Sequence, residues 1–275
     1  MLRGVIDTHA HYHDAAFDGD RAVLIPSLFE EGIEAVVDVA AEKASLAAVL
    51  KLVKEQPAER APHSGPGAAA ERPRPVIFGT AGLHPDEVGD LDDETECMIR
   101  RMLLEPKIVA VGEIGLDYHW MVQPKDVQER AFRRQIAIAK EFGKPVVIHS
   151  REAAEDTMRI VHEENAAENG GIMHCYSYAA EQAKDYARMG FYLGVGGVIT
   201  YKNGRKLRES VLAVGIDRIV LETDCPYLSP EPNRGKRNDS RNLAYVVTAL
   251  ADLFGLPEEE VIRITAENAR KVFHI

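Results

Sequence analysis

Cysteine is scarce in this sequence: three in 275 residues, at positions 97, 175 and 225. An odd, low count without framework spacing excludes a disulfide scaffold and points to a reducing compartment. No apolar run approaches the roughly 20 residues that a helix needs to cross a bilayer. The opening MLRGVIDTH has no charged leader followed by an apolar stretch, so no signal peptide is visible and the chain reads as soluble, cytoplasmic and without a membrane partner. Basic residues are outnumbered, 33 Lys and Arg against 44 Asp and Glu, for a net charge of −11. That balance excludes a general nucleic-acid-coating protein. It leaves room for an enzyme that handles phosphate through bound cations and a local basic rim.

Hydrophobic residues make up 45% of the chain, enough for a full core. They fall in short apolar or β-branched runs that predict strands at 4–7, 35–40, 76–82, 108–112, 145–149, 171–174, 191–195 and 218–222. Between them lie amphipathic segments that predict helices at 45–55, 94–104, 127–142, 152–165, 181–189, 243–254 and 257–273. In 127–142 the stripe is Phe132, Ile136 and Ala139; Gly143 ends it and Pro145 opens the next strand. Eight strands alternating with helices in one domain-sized chain, 1–275, predict a (β/α)8 TIM barrel, with an open doubly wound sheet as the alternative. The stretch 56–75, rich in Pro, Ala, Gly and charge, reads as a surface loop insertion on the barrel end away from the chemistry.

Polar groups recur where the predicted strands end. Asp7, His9 and His11 follow the first, His84 the third, Glu113 and Asp117 the fourth, His149 and Arg151 the fifth, His174 the sixth, and Glu222 and Asp224 the eighth. Barrel enzymes place their active sites at that rim. His9 and His11, two apart on an extended segment, point the same way. A single strand-end histidine is more often a hydrogen-bonded structural residue, and His-x-His alone is a weak signal. Six ligand-type residues at five strand ends are hard to explain so. His9, His11, Glu113, His149, His174 and Asp224 exceed the needs of one tetrahedral ion and suit two divalent ions sharing a carboxylate and a water. Glu113 and Asp224 are the candidate catalytic carboxylates, with Asp224 handling the proton of the attacking water.

Other residues divide between chemistry and structure. Asp7 is a candidate to orient a ligand histidine, or a turn residue. His84 is a candidate substrate contact, or part of a structural Gly-x-His-Pro turn. His13, His63, His119, His162 and His274 have no matching context and read as solvent-facing or structural. Cys175 and Cys225 read as packed against helices rather than metal-bound. Two basic stretches, 201–208 and 234–241, stand out in an acidic chain. With Arg151, their Lys202 and Arg237 are candidate phosphate contacts, although a charge run is usually a solvated face.

The stretches DTHAH (7–11), GLHP (82–85), GEIGLDY (112–118), QERAFRRQ (128–135), KPVVIHSRE (144–152), HCYS (174–177), GVGGVITYKN (194–203), ETDCPYLSP (222–230) and RGKRNDS (234–240) closely resemble the TatD-family metal-dependent deoxyribonucleases, a branch of the amidohydrolase-like barrels. The resemblance covers almost the whole chain. Carried over motif by motif, it implies the same six ligands, His9, His11, Glu113, His149, His174 and Asp224. It also implies a Mg2+- or Mn2+-supported nuclease, with Zn2+ an alternative, that acts 3′ to 5′ on single-stranded DNA. Relatives that deacylate D-aminoacyl-tRNA make ester hydrolysis the second reading. A non-catalytic metal-binding scaffold is the third, opposed by the cost of burying six polar ligands without chemistry to perform. The 56–75 insertion departs from the family pattern without touching a motif.

Overall fold

The computed structural model describes residues 3–55 and 75–275. The 56–75 insertion, Pro75 apart, and His63 within it lie outside the described residues. Eight parallel strands pair in chain order: β1 (Val5–Ala10), β2 (Ile33–Asp38), β3 (Val76–Ala81), β4 (Ile108–Asp117), β5 (Val146–Arg151), β6 (Gly171–Met173), β7 (Phe191–Val195) and β8 (Ile219–Leu221). The ring closes between β8 and β1. There the Thr8 hydroxyl donates to the Leu221 carbonyl at 2.9 Å, and beyond β8 the His11 amide donates to the Cys225 carbonyl at 2.8 Å. Interleaved helices are α1 (Arg21–Leu28), α2 (Lys43–Glu55), α3 (Asp93–Met102), α4 (Lys125–Glu141), α5 (Ala154–Glu163), α6 (Ala180–Met189) and α7 (Arg205–Val214), followed by α8 (Leu243–Phe254) and α9 (Glu258–Phe273). This is the (β/α)8 TIM barrel that the alternating pattern predicts.

The strands are largely apolar because both of their faces are covered, and their polar residues gather mainly toward the C-terminal ends. Every residue of β1 and β4 is buried. Alternate positions sort into two cores, as a period of two requires. Val5, Val36, Ile108, Val146 and Ile219 pack in the cluster that includes the surrounding helices. Ile6, Val37, Val109, Val147, Ile172 and Val220 pack with Ala266, Ala269, Val272 and Phe273 of α9. Helix α9 thus stops one mouth of the barrel and leaves the C-terminal mouth for chemistry. Each fully buried Val, Ile or Phe contributes about 1.5–3 kcal/mol to that arrangement.

Local signals explain the helices. Asp92 caps α3 by accepting from the Thr95 amide at 2.8 Å, and acids in its first turn with Arg100 and Arg101 in its last complement the helix dipole. In α4 the buried stripe includes Phe132, Ile136 and Ala139. Two helices are additions to the predicted set. α1 is nearly uniform in its apolar character and contains Pro26, so it shows little amphipathic contrast. α7 takes up Arg205, Lys206 and Arg208, which the sequence reading assigns to a basic rim loop; burial of Leu207, Ser210 and Val211 gives that segment a helical face. Strand β4 also runs past the predicted Gly112 to Asp117, because Gly115 pairs with His149 and Asp117 with Arg151.

Candidate metal centre

The six predicted ligands meet at the C-terminal mouth. β1 carries His9, and His11 follows its last residue; Glu113 lies inside β4 and His149 inside β5; His174 and Asp224 come just after β6 and β8. The Glu113 carboxylate divides them. Its Oε2 is 3.3 Å from His9 Nε2, while its Oε1 is 2.9 Å from His149 Nδ1 and 3.8 Å from His174 Nε2. Asp224 Oδ1 lies 3.3 Å from His11 Nε2, 3.7 Å from His174 Nε2 and 3.8 Å from His9 Nε2. The His9 and His174 rings stack at 3.5 Å. His9 with His11 and Glu113, Glu113 with His149 and His174, and His9 with His174 and Asp224 each have the spacing to hold an ion.

The outward nitrogens are tied down, which aims the inward ones. His11 Nδ1 bonds the Val39 carbonyl at 2.8 Å, His149 Nε2 bonds Asp117 Oδ2 at 3.0 Å, and His174 Nδ1 bonds Glu222 Oε2 at 3.1 Å. Such partners fix ring orientation and raise the basicity of the nitrogen that faces the ion. Both nitrogens of His9 are buried without a hydrogen-bond partner among the described residues. A buried imidazole with no partner is costly, and a divalent cation next to Nε2 would satisfy it. Nitrogen and carboxylate donors of this kind suit Mg2+, Mn2+ or Zn2+. Burial alone would lower the histidine pKa values, but the carboxylates win: Asp224 and Glu113 raise His11 to about 9, Asp117 and Glu113 raise His149 to about 9, and Glu222 and Glu113 raise His174 to about 10. Burial opposes ionisation of Glu113, yet His174 and His9 hold its carboxyl well below the usual range.

Residues 6–274 match the family model described as TatD related DNase. The chain belongs to the TatD family. It is 38% identical over 271 residues to YabD of Bacillus subtilis, described as a metal-dependent hydrolase, covering 98% of this chain and 99% of that protein. It is 34% identical over 201 residues to the 3′-5′ ssDNA/RNA exonuclease TatD of a Rahnella strain, covering 71% of this chain and 76% of that one. Among solved structures, the TatD homologue YjjV of Escherichia coli superposes with a TM-score of 0.84 at 26% identity, covering all of both chains.

Beyond the six, this TatD-family chain lines a cavity of about 820 Å³ at the same mouth, and His84 and Arg151 face it. His84 Nδ1 accepts from the Asp86 amide at 3.3 Å, which leaves Nε2–H as its donor. Burial and the adjacent His149 push its pKa down to about 4, so the ring is neutral. Lys202 and Arg237 are not among the cavity's lining residues. Arg237 is spent on a bidentate pair with Asp20 at 2.8 and 2.6 Å, and its guanidinium covers Phe17. Asp7 bonds no imidazole. It accepts from the His9 and Thr223 amides and from the Thr223 and Ser240 hydroxyls, clamping β1 to the segment after β8. Cys225 is buried as read. Cys175 instead lines the cavity, in a left-handed turn (φ 45) beyond the end of β6, so strand alternation does not apply to it. Burial and Glu222 push its thiol well above the ordinary value. His13 bonds the buried Asp38 at 2.9 Å and His119 bonds Glu152 at 2.7 Å; His162 and His274 are exposed.

Three carboxylates that hold the site are given no role by the sequence reading. Asp117 orients His149, Glu222 orients His174 and also accepts from the Cys175 amide at 2.7 Å, and Asp38 accepts from the Tyr12 amide. Their position was visible, since Asp117 is four residues from Glu113 and Glu222 two from Asp224. Gly194 is what lets Glu222 in: a Cβ there would sit 2.1 Å from its Oε2. Removing one such anchor should loosen the ring it holds. Glu222→Gln is expected to weaken metal affinity by roughly 10- to 100-fold with the fold retained, measured by metal titration and circular dichroism; unchanged affinity would contradict the role given to Glu222.

The histidine shifts also fix a pH dependence. Raised pKa values mean that the imidazolium forms of His11, His149 and His174 stabilise the ion-free fold fully below about 6.5, a contribution lost as pH rises through about 9 to 10. Ligation needs the inward nitrogens free of protons. Metal binding at pH 7 should therefore release protons, and apparent affinity should climb between pH 6.5 and 9. Calorimetry in buffers of differing ionisation enthalpy measures the release, and a binding heat independent of buffer would contradict it.

Proposed function

We propose that this chain is a two-ion metal-dependent hydrolase that removes nucleotides from the 3′ end of single-stranded DNA. The observation that carries the two-ion reading is Glu113, whose oxygens face His9 on one side and His149 and His174 on the other. The nucleic-acid reading is supported by the TatD related DNase family and by the Rahnella relative described as acting on single-stranded DNA and RNA. The family resemblance gives Mg2+ or Mn2+ as the ions, and four imidazoles beside two carboxylates make Zn2+ the alternative. When bound, the ions supply acidification of water and neutralisation of charge on the phosphoryl group.

The chain's own groups do the rest. Asp224 sits in the left-handed region at φ 58, a backbone conformation that costs energy and concentrates at functional sites. Its Oδ1 faces the three imidazoles and its side chain is 19% exposed on the cavity. Burial would raise its pKa, but the His11 bond and the His174 charge keep it ionised. It is placed to accept the proton of the attacking water and return it to the leaving oxygen. Water attacks phosphorus, the bond to the 3′ oxygen breaks, and the proton passes through Asp224 to that oxygen, releasing a 5′-mononucleotide. Arg151 and the Nε2–H of His84 are positioned to hold non-bridging phosphate oxygens. With Lys202 and Arg237 away from the cavity, phosphate binding falls to these two.

Asp224→Asn keeps the shape and one ligating oxygen but loses the charge and most of the basicity. On single-stranded DNA with saturating Mn2+, its kcat is expected to fall on the order of 10²-fold or more while substrate still binds. A variant whose rate at saturating Mn2+ returns to near the wild-type value would confine Asp224 to holding metal. A wild-type protein that hydrolyses D-aminoacyl-tRNA or simple esters and leaves DNA intact would overturn the nuclease reading.

A further inference from the structure

Trp120 is the chain's one tryptophan, and it is 63% exposed. Met121 and Val122 beside it are 41% and 58% exposed, so the loop from β4 to α4 presents an apolar surface to solvent. The placement of the indole is specific. Trp120 lines the same cavity as Glu113, His149 and Asp224. Its amide donates to Asp117 Oδ1 at 2.9 Å, and the other oxygen of that carboxylate holds His149. One acid therefore sets both a metal-site imidazole and the tryptophan. The Arg151 guanidinium lies over the indole at 5.5 Å, and His119 meets it edge-on at 4.8 Å. The ring is backed by a cation and a second aromatic, and the rest of it is open at the cavity mouth.

We infer that Trp120 is a stacking platform for an unpaired base of single-stranded DNA, next to the phosphate that Arg151 grips; this rests on the nuclease reading above. A flat aromatic face beside a guanidinium is the combination that single-strand binding sites use, and it accepts any base because every base has a π-face. An interior base of a duplex is already stacked on both sides and cannot lie on the indole, so the platform favours an unpaired strand over the interior of a duplex. A simple ester or inorganic phosphate gains nothing from it. Arg151 then acts twice, on the phosphate through its N–H groups and on the indole through its plane.

The single tryptophan makes the test direct, because all indole emission comes from position 120. The full-length Mg2+-loaded protein is titrated with a phosphorothioate oligothymidylate, whose linkages resist cleavage, and with an abasic strand of equal length and charge. Quenching by the first and not by the second is expected. In parallel, Trp120→Ala should raise KM for ordinary oligothymidylate by roughly five- to a hundred-fold, the range for losing one stacked base. The effect should fall on KM rather than kcat, exceed the effect on the abasic strand, and be mostly restored in Trp120→Phe. Wild type that cleaves oligothymidylate without base-dependent quenching overturns the platform and leaves the nuclease reading standing, as does a Trp120→Ala penalty equal on both strands. Base-dependent quenching without cleavage of any strand upholds the platform and overturns the nuclease. Neither quenching nor cleavage overturns both.

Discussion

Glu113 reaches His9 through one carboxylate oxygen and His149 and His174 through the other, and the arrangement of the barrel mouth follows from that double contact. Burying a carboxylate costs several kcal/mol unless charge and hydrogen bonds offset it. Here β4 carries Glu113 to the middle of the mouth, and its pairing with β5, Gly115 opposite His149, sets one neighbour. Closure of β8 on β1 supplies the other side, since the Asp224 amide donates to the His9 carbonyl at 2.9 Å. Moving any one of these strands would separate Glu113 from half its partners. Asp7, which ties His9 and Thr223 together, is the clamp on the seam that matters most.

Much of this was readable from the chain. Short apolar runs alternating with amphipathic segments predict the barrel because buried parallel strands need no polar face. The six candidate ligands could be read because strand ends are few and polar residues stand out there. What escaped depends on contacts between segments distant in sequence. Nothing local says that Asp117 reaches His149, or that Glu222 reaches His174 through the space left at Gly194. Helix α1 lacked contrast, and α7 hid behind its basic residues. Arg237 illustrates the converse: in sequence it is a free cation near the rim, whereas in three dimensions it pairs bidentately with Asp20 and donates to the Ala16 carbonyl.

Two kinds of rigidity meet at the mouth. The inner groups are fixed by acceptors behind them, Val39, Asp117 and Glu222, so the imidazoles are oriented before any ion binds, which is what preorganisation requires. The outer groups, Arg151 and Trp120, are joined by a cation–π contact and line the outer part of the cavity. Asp117 joins the two sets. The chain's overall negative charge acts against non-specific polyanion binding.

The central claim is that one carboxylate serves two ions, and metal stoichiometry tests it most directly. Protein stripped with chelator and reloaded should take up two Mn2+ per chain and show the electron paramagnetic resonance of a spin-coupled pair, with Glu113→Gln abolishing the coupling. One Mn2+ per chain at saturation, or two that remain magnetically independent in the wild type, would contradict the account.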